Sequence, residues 1–240
     1  MDNYDVKQFQ EDLQEFHISL SSYQMEQFIS YYEMLIEKNK VMNLTAITEF
    51  DEVLKKHFLD SLSLVKVCDL EDDISLLDIG TGAGFPGIPL KIVFPNLKIT
   101  LLDSLQKRVH FLEEVINHLK LENVKALHGR AEDFAKPNML REQFDLCVSR
   151  AVANLSTLSE YCLPYVKVGG SFISYKSEKV FEEIEQANYA VKVLGGKVVD
   201  EIGFTLPSSD IYRNLVIIRK CNNTPKQYPR KAGTASKNPL

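Results

Sequence analysis

Short apolar runs alternate with longer amphipathic stretches along the last two-thirds of the chain. The short runs predict strands, and the stretches with apolar residues every three or four positions predict helices, among them 106–120 and 154–166. Alternating strands and helices are typical of a parallel sheet with helices on both faces. We therefore predict an α/β fold with seven strands, the last two antiparallel, at residues 74–79, 98–103, 124–127, 144–149, 171–175, 197–206 and 214–219.

The first 70 residues contain no glycine and are predicted to be helical. Apolar residues recur at helical spacing from Met25 to Ile36, and Ser21 with Gln24 fits a capping box at the start of that helix. A further helix is predicted to begin near Thr48. We expect one compact unit made of a helical cap at residues 1–70, a core at 71–220 and a basic tail at 221–240.

The first predicted strand leads into a glycine-rich loop, I-S-L-L-D-I-G-T-G-A-G-F-P-G, that ends at Gly87. Gly80, Gly82 and Gly84 permit a tight turn and let a ligand approach the backbone closely. Pro86 suits the first turn of a helix, where its missing N–H group is not needed. A strand, a glycine loop and a helix in this order predict a nucleotide-binding turn.

Two classes of nucleotide fit this loop. Gly82, Gly84 and Gly87 match G-x-G-x-x-G, and Asp103 follows at about the spacing of a ribose-binding carboxylate, as in NAD enzymes. Asp78 repels a pyrophosphate but favours a ligand with an amino group and a sulfonium charge. The pattern D-x-G-x-G-x-G resembles motif I of the class I S-adenosylmethionine-dependent methyltransferases, and we prefer this second class.

Polar residues follow the next predicted strands at the same edge of the sheet. Asp103 is placed to bind ribose hydroxyls, although a helix N-cap requires the same kind of residue. The backbone of Ala131 and the carboxylate of Glu132 follow the third strand, where adenine is expected. Arg150 follows the fourth strand, and because an unpaired buried cation is costly we expect it to meet an acid. That acid is either a carboxylate of the methyl donor or an RNA phosphate.

His57 and Asp60 lie three residues apart and share one face of a predicted helix. They either bond each other or solvent on the surface, or they lie on the rim of the active site. The histidines and cysteines show no metal-ligand spacing, so no metal is expected.

Composition narrows the class of protein only slightly. With 45% hydrophobic residues, 25% charged residues and a net charge of −5, the chain is typical of globular proteins. Residues 211–240, however, contain seven Lys or Arg and no Asp or Glu. Such a segment either binds an anionic partner or keeps the protein in solution. Without a signal sequence or an apolar run of about 18 residues, a cytoplasmic protein is expected.

Seven segments between Asn43 and Leu240 are together similar to one family. They read N-L-T-A-I, H-F-L-D-S-L, D-I-G-T-G-A-G-F-P-G-I-P-L, L-L-D-S-x-x-K-R, G-R-A-E, S-R-A-V-A and R-K-A-G-T-A-S-K-N-P-L. This combination resembles the bacterial 16S ribosomal RNA guanine-N7 methyltransferases, also called glucose-inhibited division protein B. The resemblance implies a class I methyltransferase fold, a Rossmann-like seven-stranded sheet with an N-terminal helical cap. It also implies methyl transfer from S-adenosyl-L-methionine to a guanine of 16S ribosomal RNA, with S-adenosyl-L-homocysteine as product.

The resemblance assigns roles by position. Donor binding falls to Gly80, Phe85, Ala131, Glu132 and Arg150, beside Asp78, Gly82, Gly84 and Asp103 from the residues themselves. The candidates for holding RNA are His57, Arg130, Lys176, Arg213, Arg230 and Lys231. Arg150 and His57 are also the candidates for positioning the reacting groups.

The expected partner is 16S ribosomal RNA or the small ribosomal subunit, with no membrane and no DNA, and a monomer is expected. Two other functions remain open. A non-catalytic S-adenosylmethionine-binding factor in ribosome assembly would retain both the loop and the basic tail. A small-molecule methyltransferase would use the same loop but needs no basic tail. An NAD oxidoreductase comes last, because Asp78 fits it poorly.

Overall fold

The computed structural model describes residues 4–150, 152–177 and 180–240. Seven strands form one sheet, and they are β1 Ser75–Ile79, β2 Lys98–Asp103, β3 Val124–His128, β4 Phe144–Arg150, β5 Val166–Lys176, β6 Gly196–Thr205 and β7 Tyr212–Lys220. The α-helices are α1 Lys7–Gln14, α2 Ser22–Met42, α3 Phe50–Val53, α4 Asp60–Leu62, α5 Gly87–Val93, α6 Gln106–His118, α7 Ala131–Phe134, α8 Leu155–Cys162, α9 Val180–Val193 and α10 Thr234–Lys237. A π-helical turn, Leu54–Leu59, joins α3 to α4, and 3-10 turns cover Ser63–Lys66 and Leu163–Tyr165.

The strand order in the sheet is β3-β2-β1-β4-β5-β7-β6. Strands β1 to β5 are parallel, and β7 runs antiparallel between β5 and β6. The predicted seven-stranded sheet with a final antiparallel pair is confirmed. The order of the parallel strands reverses between β1 and β4, which opens a crevice at their carboxyl ends, the usual ligand-binding position in such sheets.

Each face of the sheet has its own hydrophobic core, because successive side chains of a strand point to opposite sides. Leu76 of β1 packs with the N-terminal helices, α5 and α6. Its neighbour Leu77 packs on the other side with α8 and α9, and Tyr228 and Leu240 near the C-terminus join this second core. The N-terminal helices and the C-terminal residues therefore cover opposite faces of the sheet.

Strand β5 begins five residues earlier than predicted, at Val166. Gly169 and Gly170 lie inside the strand, at an irregularity in the pairing with β4. Gly169 takes a left-handed φ of +89°, and a Cβ on Gly170 would lie 2.5 Å from the Asp145 carbonyl oxygen. Glycine is needed for this bulge and does not mark the end of an element.

The preceding helix is shorter than predicted, because α8 ends at Cys162 and a 3-10 turn containing Pro164 follows. At the other end of the chain, the capping box of α2 is confirmed. Ser21 Oγ accepts a hydrogen bond from the Gln24 N–H group at 3.2 Å, and Gln24 Oε1 accepts one from the Ser21 N–H group at 2.9 Å.

The helix expected near Thr48 begins at Phe50 and contains one π-helical turn. A π-turn widens the helix locally and is frequent at functional sites. This turn carries His57, and Asp60 begins the α-helical turn that follows. Both side chains reach the crevice above the sheet.

Helix α2 supports the glycine loop through one buried hydrogen bond. The Tyr31 hydroxyl donates to the Ala83 carbonyl oxygen at 2.5 Å, and Tyr31 is fully buried. The next residue, Tyr32, donates to the Thr48 carbonyl oxygen at 3.0 Å in an exposed position.

We predict that Tyr31→Phe lowers the free energy of unfolding by about 1–3 kcal/mol, because the buried Ala83 carbonyl loses its donor. The matched variant Tyr32→Phe should stay within about 0.5 kcal/mol of the natural protein, because water replaces its exposed hydrogen bond. Urea unfolding of both variants measures the difference. Equal stabilities for the two variants would contradict a supporting role for Tyr31.

Candidate functional site

The Asp78 carboxylate, near the end of β1, forms hydrogen bonds to both ends of the glycine loop. Its Oδ2 accepts hydrogen bonds from Thr81 Oγ1 at 2.6 Å and from the Gly87 N–H group at 2.9 Å. Asp78 is fully buried, and burial raises the pKa of its carboxyl group to about 6. The second oxygen, Oδ1, has no hydrogen-bond partner among the described residues. A buried acceptor without a partner at a ligand crevice is suited to a donor group on the ligand.

The loop depends on glycine at its first two turns. Gly80 and Gly82 have φ angles of +69° and +63°, in the left-handed region that other residues rarely adopt. A Cβ on Gly80 would also lie 2.5 Å from Cγ2 of Val152. Gly84 has a φ of +110°, and a Cβ there would meet the Tyr31 hydroxyl at 2.7 Å.

Asp103 at the end of β2 holds the same loop from the side. Its Oδ2 accepts from the Gly82 N–H group at 2.9 Å, and its Oδ1 accepts from the Leu105 N–H group at 2.9 Å. Nη1 of Arg108 lies 3.5 Å from Oδ2. The carboxylate thus joins the glycine loop to the segment that begins α6, and its expected ribose contact stays a prediction.

A cavity of about 240 Å³ lies against the glycine loop. We call it the loop cavity, and its lining includes Gly80, Ser104, Gly129, Arg130, Ala131, Glu132, Val152 and Tyr161. Gly233 and Ser236, from the C-terminal segment, also line it. Glu132 is buried, and its Oε1 accepts from the Gly233 N–H group at 2.8 Å. The loops after β1 and β3 therefore line one cavity, and their assignment to a nucleoside stays a prediction.

A second cavity, of about 460 Å³, is lined by Ile47, Lys56, His57, Asp60, Arg150, Tyr175, Lys176, Ser177, Glu183 and Arg213. We call it the arginine cavity. Arg150, the last residue of β4, lines this cavity, and Val152, two positions later, lines the loop cavity.

Asp60 organises the arginine cavity. Its Oδ2 binds Nη1 of Arg150 at 2.7 Å, and its Oδ1 binds Nε of Arg213 at 2.9 Å, with the Asp60 side chain only 5% exposed. Asp60 of this chain is thus one acid that Arg150 meets, and the expected contact of Arg150 with a carboxylate of the methyl donor or an RNA phosphate stays a prediction. Charged hydrogen bonds of this geometry fix both arginine side chains at the cavity wall.

His57 contacts Arg150, not Asp60. Nδ1 of His57 lies 3.2 Å from Nη2 of Arg150, which can only donate, so Nδ1 accepts. Nε2 then carries the proton and donates to Thr45 Oγ1 at 2.8 Å. Burial and the Arg150 charge lower the pKa of His57 to about 3, so the ring is neutral at physiological pH.

Phe85 lies between these groups. The His57 ring stacks on it at 4.6 Å between centroids, and the Arg150 guanidinium lies 5.1 Å from its centroid. Phe85 itself is buried, with 6% exposed. Its contacts thus connect the glycine loop to the arginine cavity.

Apart from His57, described above, the residues predicted to hold RNA differ in their surroundings. Nζ of Lys176 binds Glu183 at 2.6 Å and the Ala153 carbonyl oxygen at 2.9 Å. Arg213 is held by Asp60, and Arg230 forms a bidentate pair with the buried Glu160. Arg130 and Lys231 are exposed, and neither forms an ion pair with another described residue.

Two of the carboxylates that hold these cations, Glu160 and Glu183, were not predicted as site residues, and Asp60 was considered only for the rim of the active site. One signal was available. Asp60 lies between Phe58, Leu59 and Leu62, and Glu160 is the only charged residue of α8. A single acid on an apolar helix indicates a buried charge that needs a cationic partner.

Within the described residues, no helix is long and apolar enough to cross a membrane, and no group of three side chains could hold a metal ion.

Together these features define a class of protein. A glycine loop between β1 and α5, acids at the ends of β1 and β2, and an antiparallel β7 inserted beside β5 are the features of a class I methyltransferase. A family model described as rRNA small subunit methyltransferase G matches residues 24–210. The chain belongs to this family.

Similar proteins agree with this assignment. Ribosomal RNA small subunit methyltransferase G of Lachnoclostridium phytofermentans is 55% identical, with 98% of each chain covered. The proteins of the same name from Alkaliphilus metalliredigens and Bacillus cytotoxicus are 53% and 52% identical, with 95% and 98% of each chain covered.

Solved structures show likeness in the fold. A SAM-dependent methyltransferase from Aquifex aeolicus superposes with a TM-score of 0.52 at 19% identity, over 71% of this chain and 93% of that one. TYW2 of P. horikoshii, solved in complex with MeSAdo, has a TM-score of 0.53 at 18% identity, over 68% and 62% of the two chains. The predicted methyltransferase fold is confirmed.

We predict that Asp78→Asn stabilises the protein while weakening donor binding. Folding raises the pKa of the Asp78 carboxyl group from 3.8 to about 6. The ionised carboxylate therefore lowers the free energy of unfolding above pH 6, and this loss disappears below pH 3.8, where the group is protonated in both the folded and the unfolded protein. Removing the charge should raise the free energy of unfolding at neutral pH by up to about 3 kcal/mol. Urea unfolding at neutral and acidic pH measures this gain.

Thr81→Val is the matched control, because it removes a hydrogen bond to the same carboxylate and leaves the charge buried. It should destabilise the protein. A loss of stability in Asp78→Asn at neutral pH would show that the carboxylate stabilises the loop more than its burial costs.

Proposed function

We propose that this protein transfers a methyl group from S-adenosylmethionine to nitrogen 7 of a guanine in 16S ribosomal RNA. The observation that carries the proposal is that Arg150 and Val152, two positions apart, line two different cavities, the first lined by fixed cations and the second by the glycine loop. Membership of the rRNA small subunit methyltransferase G family supports the RNA acceptor. Such a substrate implies action in the cytoplasm, and we keep a monomer as the expected state.

The glycine loop and the loop cavity supply the groups that we assign to the donor. Gly82, with no side chain packed against it, leaves room for a ligand against the backbone, and Oδ1 of Asp78, which has no hydrogen-bond partner among the described residues, is assigned to an amino group. Asp103 is assigned to the ribose and Ala131 with Glu132 to the adenine. The donor, when bound, supplies a methyl group activated by a sulfonium charge.

In this proposal the arginine cavity receives the target nucleotide. Arg150 and Arg213 share the single negative charge of Asp60, so the cluster keeps a net positive charge that suits a phosphate or oxygen 6 of guanine. Asp60 is a positioning residue, because its two oxygens orient both guanidinium groups.

The chemistry needs no general base. Nitrogen 7 of guanine carries a lone pair and no proton, so no residue has to remove a proton from it. His57, whose pKa is lowered to about 3, is neutral and has no proton to accept in this reaction. Catalysis is then mainly a matter of orientation, which contributes up to about 7–11 kcal/mol in well-aligned reactions. Arg150 and His57 serve by fixing the acceptor beside Phe85.

The other basic residues divide into two groups. Arg130 and Lys231 are exposed and are the candidates for phosphate contacts that set affinity and salt dependence. Lys176 and Arg230 hold neighbouring segments through Glu183 and Glu160, and we expect only their remaining N–H groups to meet RNA. A splayed, unpaired guanine is the expected target, because specific RNA recognition favours single strands.

Two other functions compete with this one. A non-catalytic donor-binding factor in ribosome assembly would keep both cavities. A small-molecule methyltransferase would keep the loop cavity but needs no exposed cations around it.

The experiment is methyl transfer from labelled S-adenosylmethionine to small ribosomal subunits from a strain that lacks this gene. We expect label at nitrogen 7 of a single guanine, located by nuclease mapping. Subunits from the parent strain are the control and should accept no label, because their guanine is already modified. Donor binding without label on subunits or naked RNA would favour one of the competing functions.

We predict that Lys231→Gln weakens RNA binding and lowers the slope of log affinity against log salt by about 0.7–0.9, the loss of one phosphate contact. Lys7→Gln is the matched control, since Lys7 is an exposed lysine on the N-terminal side of the sheet. Binding titrations with a 16S RNA fragment over a range of salt measure both. Equal slopes for the two variants would exclude Lys231 from the RNA surface.

A further inference from the structure

The C-terminal tail, residues 221–240, is firmly attached to the core. Arg230 contributes its Nε and Nη2 groups, at 2.9 Å and 2.6 Å, to the two oxygens of Glu160. Glu160 also accepts the Arg230 backbone N–H group at 2.7 Å, and its side chain is 1% exposed. A buried carboxylate without this partner would be costly, so the pair holds the tail in one position.

A second series of contacts continues beyond Arg230. The Gly233 N–H group donates to Glu132, Thr157 Oγ1 donates to the Ala235 carbonyl oxygen at 3.2 Å, and Ala235 is 1% exposed. Ser156 Oγ donates to the Leu240 carbonyl oxygen at 2.7 Å. The tail is thus packed along its length and is not a free solubilising extension.

One side of this tail forms a wall of the loop cavity, through Gly233 and Ser236. Gly80 of the glycine loop lines the same cavity, so the tail and the glycine loop enclose it together. The tail is therefore part of the cavity wall that a bound ligand would contact.

Glu132 connects the tail to the donor site. Its Oε1 is bound by Gly233, whereas its Oε2 has no hydrogen bond within the described part of the chain, and the side chain lines the cavity. One carboxylate can therefore hold the tail and accept a hydrogen bond from a base at the same time.

Resting on the proposed function for the identity of the donor, we infer that the tail is part of the donor-binding site. Gly233 and Ser236 are positioning residues for S-adenosylmethionine, and Glu132 links donor binding to the closed position of the tail. The exposed lysines of the same segment, Lys226, Lys231 and Lys237, face solvent. RNA that holds the tail down then strengthens donor binding, and by reciprocity the donor strengthens RNA binding.

The first test is amide hydrogen exchange of the full-length protein with and without S-adenosylhomocysteine, in the absence of RNA. Donor binding that requires a closed tail must slow exchange of the Gly233–Lys237 amides, by about tenfold or more at saturation. Amides of α1, on the other face of the sheet, are the control and should not change. Equal exchange of the tail amides with and without the nucleoside would overturn the inference.

The second test uses two shortened chains. A chain ending at Ala232 keeps the Arg230–Glu160 pair but loses Gly233 and Ser236, and it should bind S-adenosylmethionine about tenfold more weakly, as expected for a lost hydrogen-bonded wall. A chain ending at Lys237 keeps both residues and should bind within about twofold of the natural protein.

Calorimetric titration measures the dissociation constants, and thermal unfolding without ligand checks that each chain is folded. Full donor affinity in the folded chain ending at Ala232 would overturn the inference. If that chain does not fold, hydrogen exchange of the intact protein decides. Both tests omit RNA, so their failure would leave RNA methylation untouched, and failure of RNA methylation would leave these results valid.

Discussion

Two buried carboxylates, Asp78 and Asp103, hold the glycine loop in shape, and the proposed donor contacts of Gly80, Gly82 and Gly84 depend on that loop. Asp103 binds the backbone N–H group of the left-handed Gly82, and Asp78 binds that of Gly87 at the start of α5. The arrangement is costly, because burial raises the pKa of Asp78 to about 6. Tyr31 completes the support from the N-terminal helices. A loop held this rigidly loses little further entropy when a ligand binds.

Asp60 is the corresponding constraint on the arginine cavity, the proposed acceptor site. It begins α4, yet it binds Arg150 at the end of β4 and Arg213 in β7, residues 90 and 153 positions away. The N-terminal helices therefore supply the group that orients the cations of the sheet. This explains why a helical segment, widened by a π-turn at His57, lies at the crevice of a methyltransferase sheet. The neutral His57 and the Phe85 ring then provide an uncharged surface beside those cations.

The basic tail combines two properties that the sequence presented as alternatives to each other. Its exposed lysines suit an anionic partner, while Arg230 and Gly233 attach it to buried carboxylates of the core. Removing the whole tail is therefore a poor test of RNA binding, because the deletion also changes the loop cavity. Substituting a single exposed lysine, such as Lys231, tests binding of an anionic partner while leaving the attachment of the tail intact.

The sequence by itself determined the features that depend on neighbouring residues. The seven strands, the capping box at Ser21, the glycine turn and the acids at two strand ends follow from periodicity and local backbone chemistry, and the structure confirms these elements. Only the tertiary structure decided the partners of Arg150, Arg230 and Glu132. Those contacts join residues 70 to 101 positions apart, and no local pattern specifies which buried charge meets which. The physical reason is that desolvation requires each buried charge to be paired, but only the packing of α4, α8 and the tail on the sheet selects the partner.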